Sequence, residues 1–214
     1  MTVPFITSVY GEAAAEYSIK KSRFIASLQE VQTETEAAAY IARIRKQYWD
    51  ARHNCYAYQI GAGGLLQKSS DDGEPSGTAG KPMLEVLKKQ GITNTVVVVT
   101  RYFGGIKLGA SGLIRAYGHA VTLGLEAASI ADYKPYDVLA VRLAYPFVSM
   151  MERLAPDYHI RIAQRDFADT VTFTLEIPQE STEKVKELLT NNTNGTAVYT
   201  AQGQKTIPSI RSRT

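Results

Sequence analysis

Residues 95–100 of this chain, Thr-Val-Val-Val-Val-Thr, form an unbroken run of β-branched side chains. A strand with one solvated face alternates apolar and polar residues, so a continuous run is typical of a strand that is buried on both faces. Residues 101–112, RYFGGIKLGASG, follow as a glycine-rich loop, and a helix is predicted from about Leu113 to Ser129. The first domain is therefore expected to contain a buried strand that leads through this loop into a helix.

The glycine-rich loop is the best candidate for an anion site. Glycine lets the backbone approach a ligand closely, and the free N–H groups at a helix N-terminus carry partial positive charge. The loop is neither a Walker A sequence nor a G-x-G-x-x-G fingerprint, which disfavours nucleotide hydrolysis and dinucleotide binding. The alternative interpretation is a loop that only turns the chain tightly.

Basic and aromatic side chains accompany this loop. Residues 81–119 hold six Lys and Arg against the single acid Glu85, a local net charge of +5 in a chain whose total is +3. Such residues can bind single-stranded nucleic acid, although the aromatics can equally belong to a core or to a protein interface. The candidate binding residues are Arg101, Tyr102, Phe103, Gly104, Gly105, Lys107, Arg115, Tyr117 and Lys81.

Residues 71–82, DDGEPSGTAGKP, place three carboxylates within four positions. Oxygen ligands suit a divalent cation, but the spacing is not that of an EF-hand, and no His or further acid lies close by. In the other interpretation the carboxylates anchor a turn-rich loop through backbone amides or nearby Arg side chains. We favour this interpretation and predict no metal and no cofactor; the residues that support the binding loop are then Asp71, Asp72, Glu74 and Thr78.

His53 and Cys55 share one face of a predicted strand, residues 53–60. A thiolate–imidazolium pair would make Cys55 a nucleophile. However, side chains two positions apart on a strand are separated by ~7 Å, which is too far for a direct hydrogen bond. We therefore predict a packed, structural Cys55 with His53 near the rim of the site.

The chain changes character after Lys134-Pro135-Tyr136, a plausible linker. Residues 137–205 predict the order strand–helix–strand–strand–helix–strand, which is the ferredoxin-like pattern. We expect an α+β protein with a first domain at 1–134, a second at 137–205, and a loosely held tail at 206–214.

Composition narrows the setting. The single cysteine leaves no internal disulfide and fits a reducing cytosol. No apolar run approaches the ~20 residues of a membrane span, and the first residues lack the basic and apolar regions of a secretory signal. We therefore expect a cytoplasmic protein with no membrane partner.

Four segments together resemble the YigZ/IMPACT family: SRF at 22–24, HNCYAY at 53–58, DDGEPSGTAGKPML at 71–84 and VVVTRYFGGIKLGASGLIRAY at 97–117. The resemblance extends through most of residues 15–130, and residues 137–205 look like the small second domain of bacterial members. One departure is Ser111, which stands where the family usually has glycine and is expected to stiffen or reshape the loop.

The resemblance implies folds and a role. It implies a first domain similar to domains of a translocating elongation factor and a small-subunit ribosomal protein, and a ferredoxin-like second domain. Eukaryotic members act in translational control as binding proteins. We therefore expect a non-enzymatic protein that contacts RNA, the ribosome or a translation-regulatory partner. The alternatives are a metal- or phosphate-dependent enzyme on a small molecule and a protein–protein adaptor.

Overall fold

The computed structural model describes residues 6–211, so the ends of the predicted first domain and tail, 1–5 and 212–214, lie outside the described residues. The chain forms two compact units. The first comprises the described residues up to Tyr133 together with those from Ser209 onward, and the second comprises Lys134–Pro208. The α+β class expected from the sequence is confirmed in both units.

The first unit is built on a five-stranded antiparallel sheet. Its strands and helices are β1 (Ile6–Val9), β2 (Glu12–Ile19), β3 (Ser22–Glu30), α1 (Glu34–Gln47), β4 (His53–Ile60), β5 (Leu66–Ser70), α2 (Gly80–Lys89), β6 (Thr95–Tyr102) and α3 (Ala110–Ala127). The strand order in the sheet is β2-β3-β6-β4-β5. The predicted valine-rich strand is thus the middle strand.

Strand β6 is buried on both faces, as its sequence predicts. Val97 and Val99 pack with α2 and α3 on one face of the sheet, and Val96 and Val98 pack with α1 on the other. All four side chains are 0% exposed. The sheet is therefore covered by helices on both sides, and the end of β6 is fixed by its neighbours β3 and β4.

Helix α3 begins at Ala110, so our predicted start near Leu113 is wrong. The turn occurs at Gly109, where φ is +75°, a conformation that glycine adopts without strain. Ser111 and Gly112 therefore lie in the first helical turn. The departure from the family pattern at Ser111 falls in this turn and not in the loop.

The second unit has the predicted ferredoxin-like order. Its elements are β7 (Ile130–Leu143), α4 (Val148–Asp157), β8 (Arg161–Phe167), β9 (Val171–Pro178), α5 (Thr182–Asn192) and β10 (Val198–Ile210). The strand order is β10-β7-β9-β8. Its core includes Leu139, Phe173 and Leu189.

The predicted tail is not separate from the fold as far as it is described. Residues 206–210 continue β10. Arg211 then donates its backbone N–H to the carbonyl of Ile130 at 2.8 Å, and its guanidinium lies 2.7 Å from Asp132. The first unit is therefore assembled from the first part of the chain and its last described residues. None of the helices within residues 6–211 is long and apolar enough to cross a membrane.

Candidate functional site

Asp71 anchors the loop that precedes α2. Its carboxylate accepts hydrogen bonds from the backbone N–H groups of Gly77, Ala79 and Gly80, at 2.8 to 2.9 Å. Burial opposes ionisation of this carboxyl, but the three donors outweigh that effect and hold the pKa of Asp71 below its usual value. The first acid of the loop therefore binds backbone amides, as the structural interpretation of the sequence predicts.

Asp72 joins the same loop to α1 and β4. Its carboxylate pairs with Arg45 and accepts from the backbone N–H of Asn54 at 2.7 Å. Its carbonyl lies 2.8 Å from Nδ1 of His53. Because a carbonyl can only accept, Nδ1 carries the proton in this contact.

Glu74 is the centre of a buried polar network. Its Oε1 lies 2.6 Å from Nη1 of Arg101 and accepts from the hydroxyl of Tyr117 at 2.8 Å. The hydroxyl in turn lies 3.4 Å from Sγ of Cys55. Four predicted site residues are thus held together behind the surface. Thr78 supports the loop locally, since its hydroxyl donates to the Pro75 carbonyl at 2.6 Å.

The three carboxylates do not converge on a common point. Each binds a different set of partners, and within residues 6–211 no group of three His, Cys, Asp or Glu side chains is placed to hold a metal ion. The arrangement gives the acidic loop a structural role in positioning β4, α2 and Arg101.

Two of the predicted ligand contacts are inaccessible in this structure. Tyr117 is 0% exposed, so it belongs to the core, which is one of the alternatives that the sequence leaves open for these aromatics; burial and the neighbouring Cys55 and Glu74 raise the pKa of its hydroxyl. Arg101 is only 6% exposed. We expected Arg101 to be an open phosphate contact, but its charge is already matched by Glu74.

Arg101 nevertheless has an unused donor. Its guanidinium carbon lies 5.5 Å from the ring centroids of both Phe24 and Phe103. Its Nε–H is buried and has no hydrogen-bond partner among the described residues. A buried donor without a partner costs free energy, and such a group is an indication of a bound species.

Cys55 is a structural thiol. It is 0% exposed, and its S–H donates to the carbonyl of Asp71 at 2.9 Å. Burial raises the pKa of this thiol to about 12, and the nearby carboxylates act in the same direction. The prediction of a packed Cys55 is confirmed. That His53 lies at the rim of a binding site stays a prediction.

The glycine-rich loop packs against the hairpin between β2 and β3. Lys20 and Lys21 form the two-residue turn of that hairpin, both with positive φ. A Cβ atom on Gly104 would lie 2.0 Å from the carbonyl carbon of Lys21, so only glycine fits there. The N–H of Gly104 lies 3.3 Å from Oγ of Ser22. The close backbone approach predicted for this loop is thus made to the hairpin.

A pocket of about 340 Å³ lies at the N-terminus of α3, and we call it the α3 pocket. Its polar wall contains Arg52, His53, Lys107, Arg101 and the Arg101-bound Glu74, and its apolar wall contains Pro75, Phe103, Leu108 and Leu113. Gly109 and Ala110 supply backbone at the helix start. The N-cap residue of α3 is Gly109, which has no side chain to cap the first N–H groups, and the first turn of the helix contains no acid.

A second pocket, of about 360 Å³, shares Leu108 with the α3 pocket. It is lined by Tyr17, Ile19, Lys20, Arg115 and His119. Arg101 and Lys107 line the first pocket and Arg115 lines the second, so the three basic residues of the predicted site are divided between two adjoining pockets.

The remaining predicted residues lie around these pockets. Tyr102 is partly exposed; its hydroxyl donates to Asp50 at 2.8 Å, and Arg23 lies over its ring. Gly105 is exposed with φ +86°, and Lys81 is exposed in the first turn of α2. Sequence reasoning missed Arg52 and Lys20. Arg52 immediately precedes His53, so its position next to the predicted strand at 53–60 could have identified it as a site residue.

Comparison with known proteins gives consistent results for both units. Residues 20–125 match the model of the Impact N-terminal domain, and residues 141–196 match that of a domain of unknown function (DUF1949). The chain is 45% identical to IMPACT family member YvyE of Bacillus subtilis (strain 168), over 84% of this chain and 83% of that protein.

Two further relatives cover most of the chain. IMPACT family member YigZ of Escherichia coli (strain K12) is 37% identical over 75% of this chain and 79% of its own length. A solved structure described as the crystal structure of a hypothetical protein is 30% identical, with a TM-score of 0.59, and covers 93% of this chain and 98% of its own.

Proposed function

The chain belongs to the IMPACT family, and from that premise we propose that it is a non-enzymatic, translation-associated protein that contacts RNA or the ribosome through its first unit. The binding surface consists of the hairpin turn at Lys20 and Lys21, the loop Phe103–Gly109, and the two pockets that meet at Leu108. The observation that carries the proposal is the concentration of free positive charge there.

The exposed charged side chains that line the two pockets are positive. Lys20, Arg52, Lys107 and Arg115 are exposed and line the two pockets. Among residues 6–211 the one carboxylate that lines either pocket is Glu74, which is buried and neutralised by Arg101. Such a surface attracts the phosphates of a nucleic acid and favours fast, salt-dependent binding.

The same surface offers places for bases. Phe103 is 47% exposed and, like Lys107, lines the α3 pocket. Base stacking on an aromatic ring contributes about 1–3 kcal/mol per base and tolerates any sequence. We therefore favour single-stranded or looped RNA over a regular duplex.

A protein partner is the second candidate. Ile106 in this loop and Ile114 in α3 are 44% and 43% exposed. Exposed apolar side chains ringed by charge are typical of protein interfaces. If the partner is a protein, binding should survive nuclease treatment and high salt. Binding to RNA should be lost under both conditions.

The test is co-sedimentation with bacterial ribosomes at low and high salt, for the wild type and for Arg52→Ala/Lys107→Ala. The control is Lys46→Ala, which removes an exposed lysine on α1, across the sheet from α3. We expect salt-sensitive sedimentation that the double variant loses and the control keeps. On a single-stranded RNA the double variant should also lower the salt slope, by about 0.7 for each phosphate that it no longer binds. Wild-type protein that binds neither ribosomes nor RNA at low salt contradicts the proposal.

A further inference from the structure

The α3 pocket contains more anion-binding groups than contact with an internal phosphodiester of an RNA strand requires. Arg52 and Lys107 are exposed, and neither forms an ion pair with any residue from 6 to 211. Gly109 and Ala110 bring the uncapped N-terminus of the 18-residue helix α3 to the same pocket. These groups converge on a concave volume of about 340 Å³.

A second, independent feature also indicates a ligand. Arg101 lines the pocket, its side chain is 7% exposed, and its Nε–H has no partner in the described chain. Glu74 occupies Nη1 and holds the guanidinium in place. Phe24 is 0% exposed and fixed in the core, whereas Phe103 is half-exposed and belongs to the loop. The ring centroid of Phe103 lies 5.5 Å from the guanidinium carbon of Arg101, so this half-exposed ring lies between the loop and the buried arginine.

We propose, building on the RNA-binding function above, that the α3 pocket binds a terminal phosphate monoester of single-stranded RNA. A monoester carries a charge of about −1.5 to −2 at pH 7 and three acceptor oxygens, which an internal phosphodiester does not. Arg52, Lys107, the start of α3 and Nε of Arg101 supply the matching charge and donors. A pocket also suits a chain end better than a strand that must both enter and leave.

The neighbouring groups agree with this ligand. His53 lines the pocket, and the contact of its Nδ1 with the carbonyl of Asp72 holds the ring in place. Phe103, Leu108 and Leu113 form an apolar wall next to the cations. The terminal base can stack on that wall while its phosphate binds the helix start.

The experiment compares three RNA hexamers of one sequence in a competition assay: one with a 5′-phosphate, one with a 3′-phosphate and one with hydroxyls at both ends. We expect one phosphorylated hexamer to bind about tenfold more tightly than the hydroxyl form, equivalent to about 1.4 kcal/mol. Arg52→Ala/Lys107→Ala should abolish that advantage. Arg115→Ala, in the second pocket, should weaken all three hexamers alike and keep the advantage.

Arg101→Lys isolates the buried donor, since lysine retains a cation for Glu74 but has no Nε–H. It should reduce the preference for the phosphorylated end while the melting temperature shows that the protein is folded. A folded Arg101→Lys protein with the full preference overturns the role of Nε.

The outcomes separate this inference from the proposed function. If all three hexamers bind equally and with salt dependence, the end-binding inference is overturned and the RNA-binding function stands. The same holds if the preference survives Arg52→Ala/Lys107→Ala, because the phosphate then binds elsewhere. If no hexamer binds at low salt, both are overturned.

Discussion

Nη1 of Arg101 lies 2.6 Å from Oε1 of Glu74, with 7% and 3% of the two side chains exposed. The pair connects the end of the middle strand to the acidic loop and shares Glu74 with the hydroxyl of Tyr117. Removing one partner of a buried pair leaves an uncompensated charge and costs about 3–5 kcal/mol. We therefore expect Arg101→Met to lower the free energy of unfolding by about that amount in urea titrations.

The control for this pair is the double variant Arg101→Met/Glu74→Leu, which removes both charges. Apolar replacement of a whole buried pair is often close to neutral, but Glu74→Leu also removes the acceptor of the Tyr117 hydroxyl, so the double variant should recover only part of the lost stability. A single variant that loses less than about 1 kcal/mol would show that water reaches the pair and screens it.

Asp71→Asn should make the free energy of unfolding less dependent on pH in the acidic range. The folded protein holds the pKa of Asp71 below its usual value, so the ionised form contributes stability above the unfolded pKa of about 3.9, and that contribution is lost as pH falls through the folded pKa. We expect the variant to be less stable by about 1–3 kcal/mol at pH 7. The difference from wild type should shrink steadily below about pH 4.

Urea unfolding at pH 7 and pH 3 measures this difference. Asp157→Asn is the matched control, since Asp157 is exposed on α4. Its effect should stay within about 0.5 kcal/mol at both values of pH. A constant penalty for Asp71→Asn across the range would mean that the amide-bound carboxylate is not the source of acid sensitivity.

Cys55 should be unreactive until the protein opens. Its thiol is fully buried, and burial raises its pKa to about 12, so almost no thiolate forms at pH 8. A thiol reagent such as DTNB should modify the native protein slowly, at a rate that tracks the opening reaction and rises with urea. Full modification within seconds under native conditions would indicate an accessible thiolate.

Gly104→Ala should separate the glycine-rich loop from the hairpin. The new Cβ would lie 2.0 Å from backbone atoms of Lys21, and overpacking of this kind costs about 1–3 kcal/mol. Hydrogen exchange should accelerate at Gly104, whose N–H lies near Ser22 Oγ, and in the hairpin turn.

Gly105→Ala provides the contrast. Gly105 has φ +86° with open space around the added Cβ, so alanine there meets backbone strain of about 1–2 kcal/mol but no neighbour. The hairpin amides should then exchange as in the wild type. Equal acceleration in both variants would mean that the loop is held by its own conformation and not by the hairpin.

The sequence predicts most of the elements because their patterns are local. The β-branched run of β6 and the ferredoxin-like order both appear in the structure. The turn between β2 and β3 is harder to predict from the sequence, because Lys20-Lys21 contains none of the Asn or Gly that usually mark a turn with positive φ. The start of α3 was obscured by Gly109 and Gly112, one of which ends the loop while the other belongs to the helix.

The burial of Arg101 and Tyr117 was missed although its signal was present. Arg101 follows Val97 and Val99 at two-residue spacing, so it lies on the face of β6 that packs with α2 and α3. Tyr117 follows Leu113 by four positions and therefore lies on the buried side of α3. Charge and aromaticity suggested a surface role, but periodicity placed both side chains inward. What periodicity could not supply was Glu74, the partner that makes a buried arginine tolerable.

The return of the chain end to the first unit sets an order of events during synthesis. A ribosome delivers the chain from its first residue, at about 5–20 residues per second. When Asp132 emerges, Arg211 has not been made, and the 2.7 Å ion pair between them forms only after the whole second unit has left the ribosome. The first unit is thus begun first and finished last.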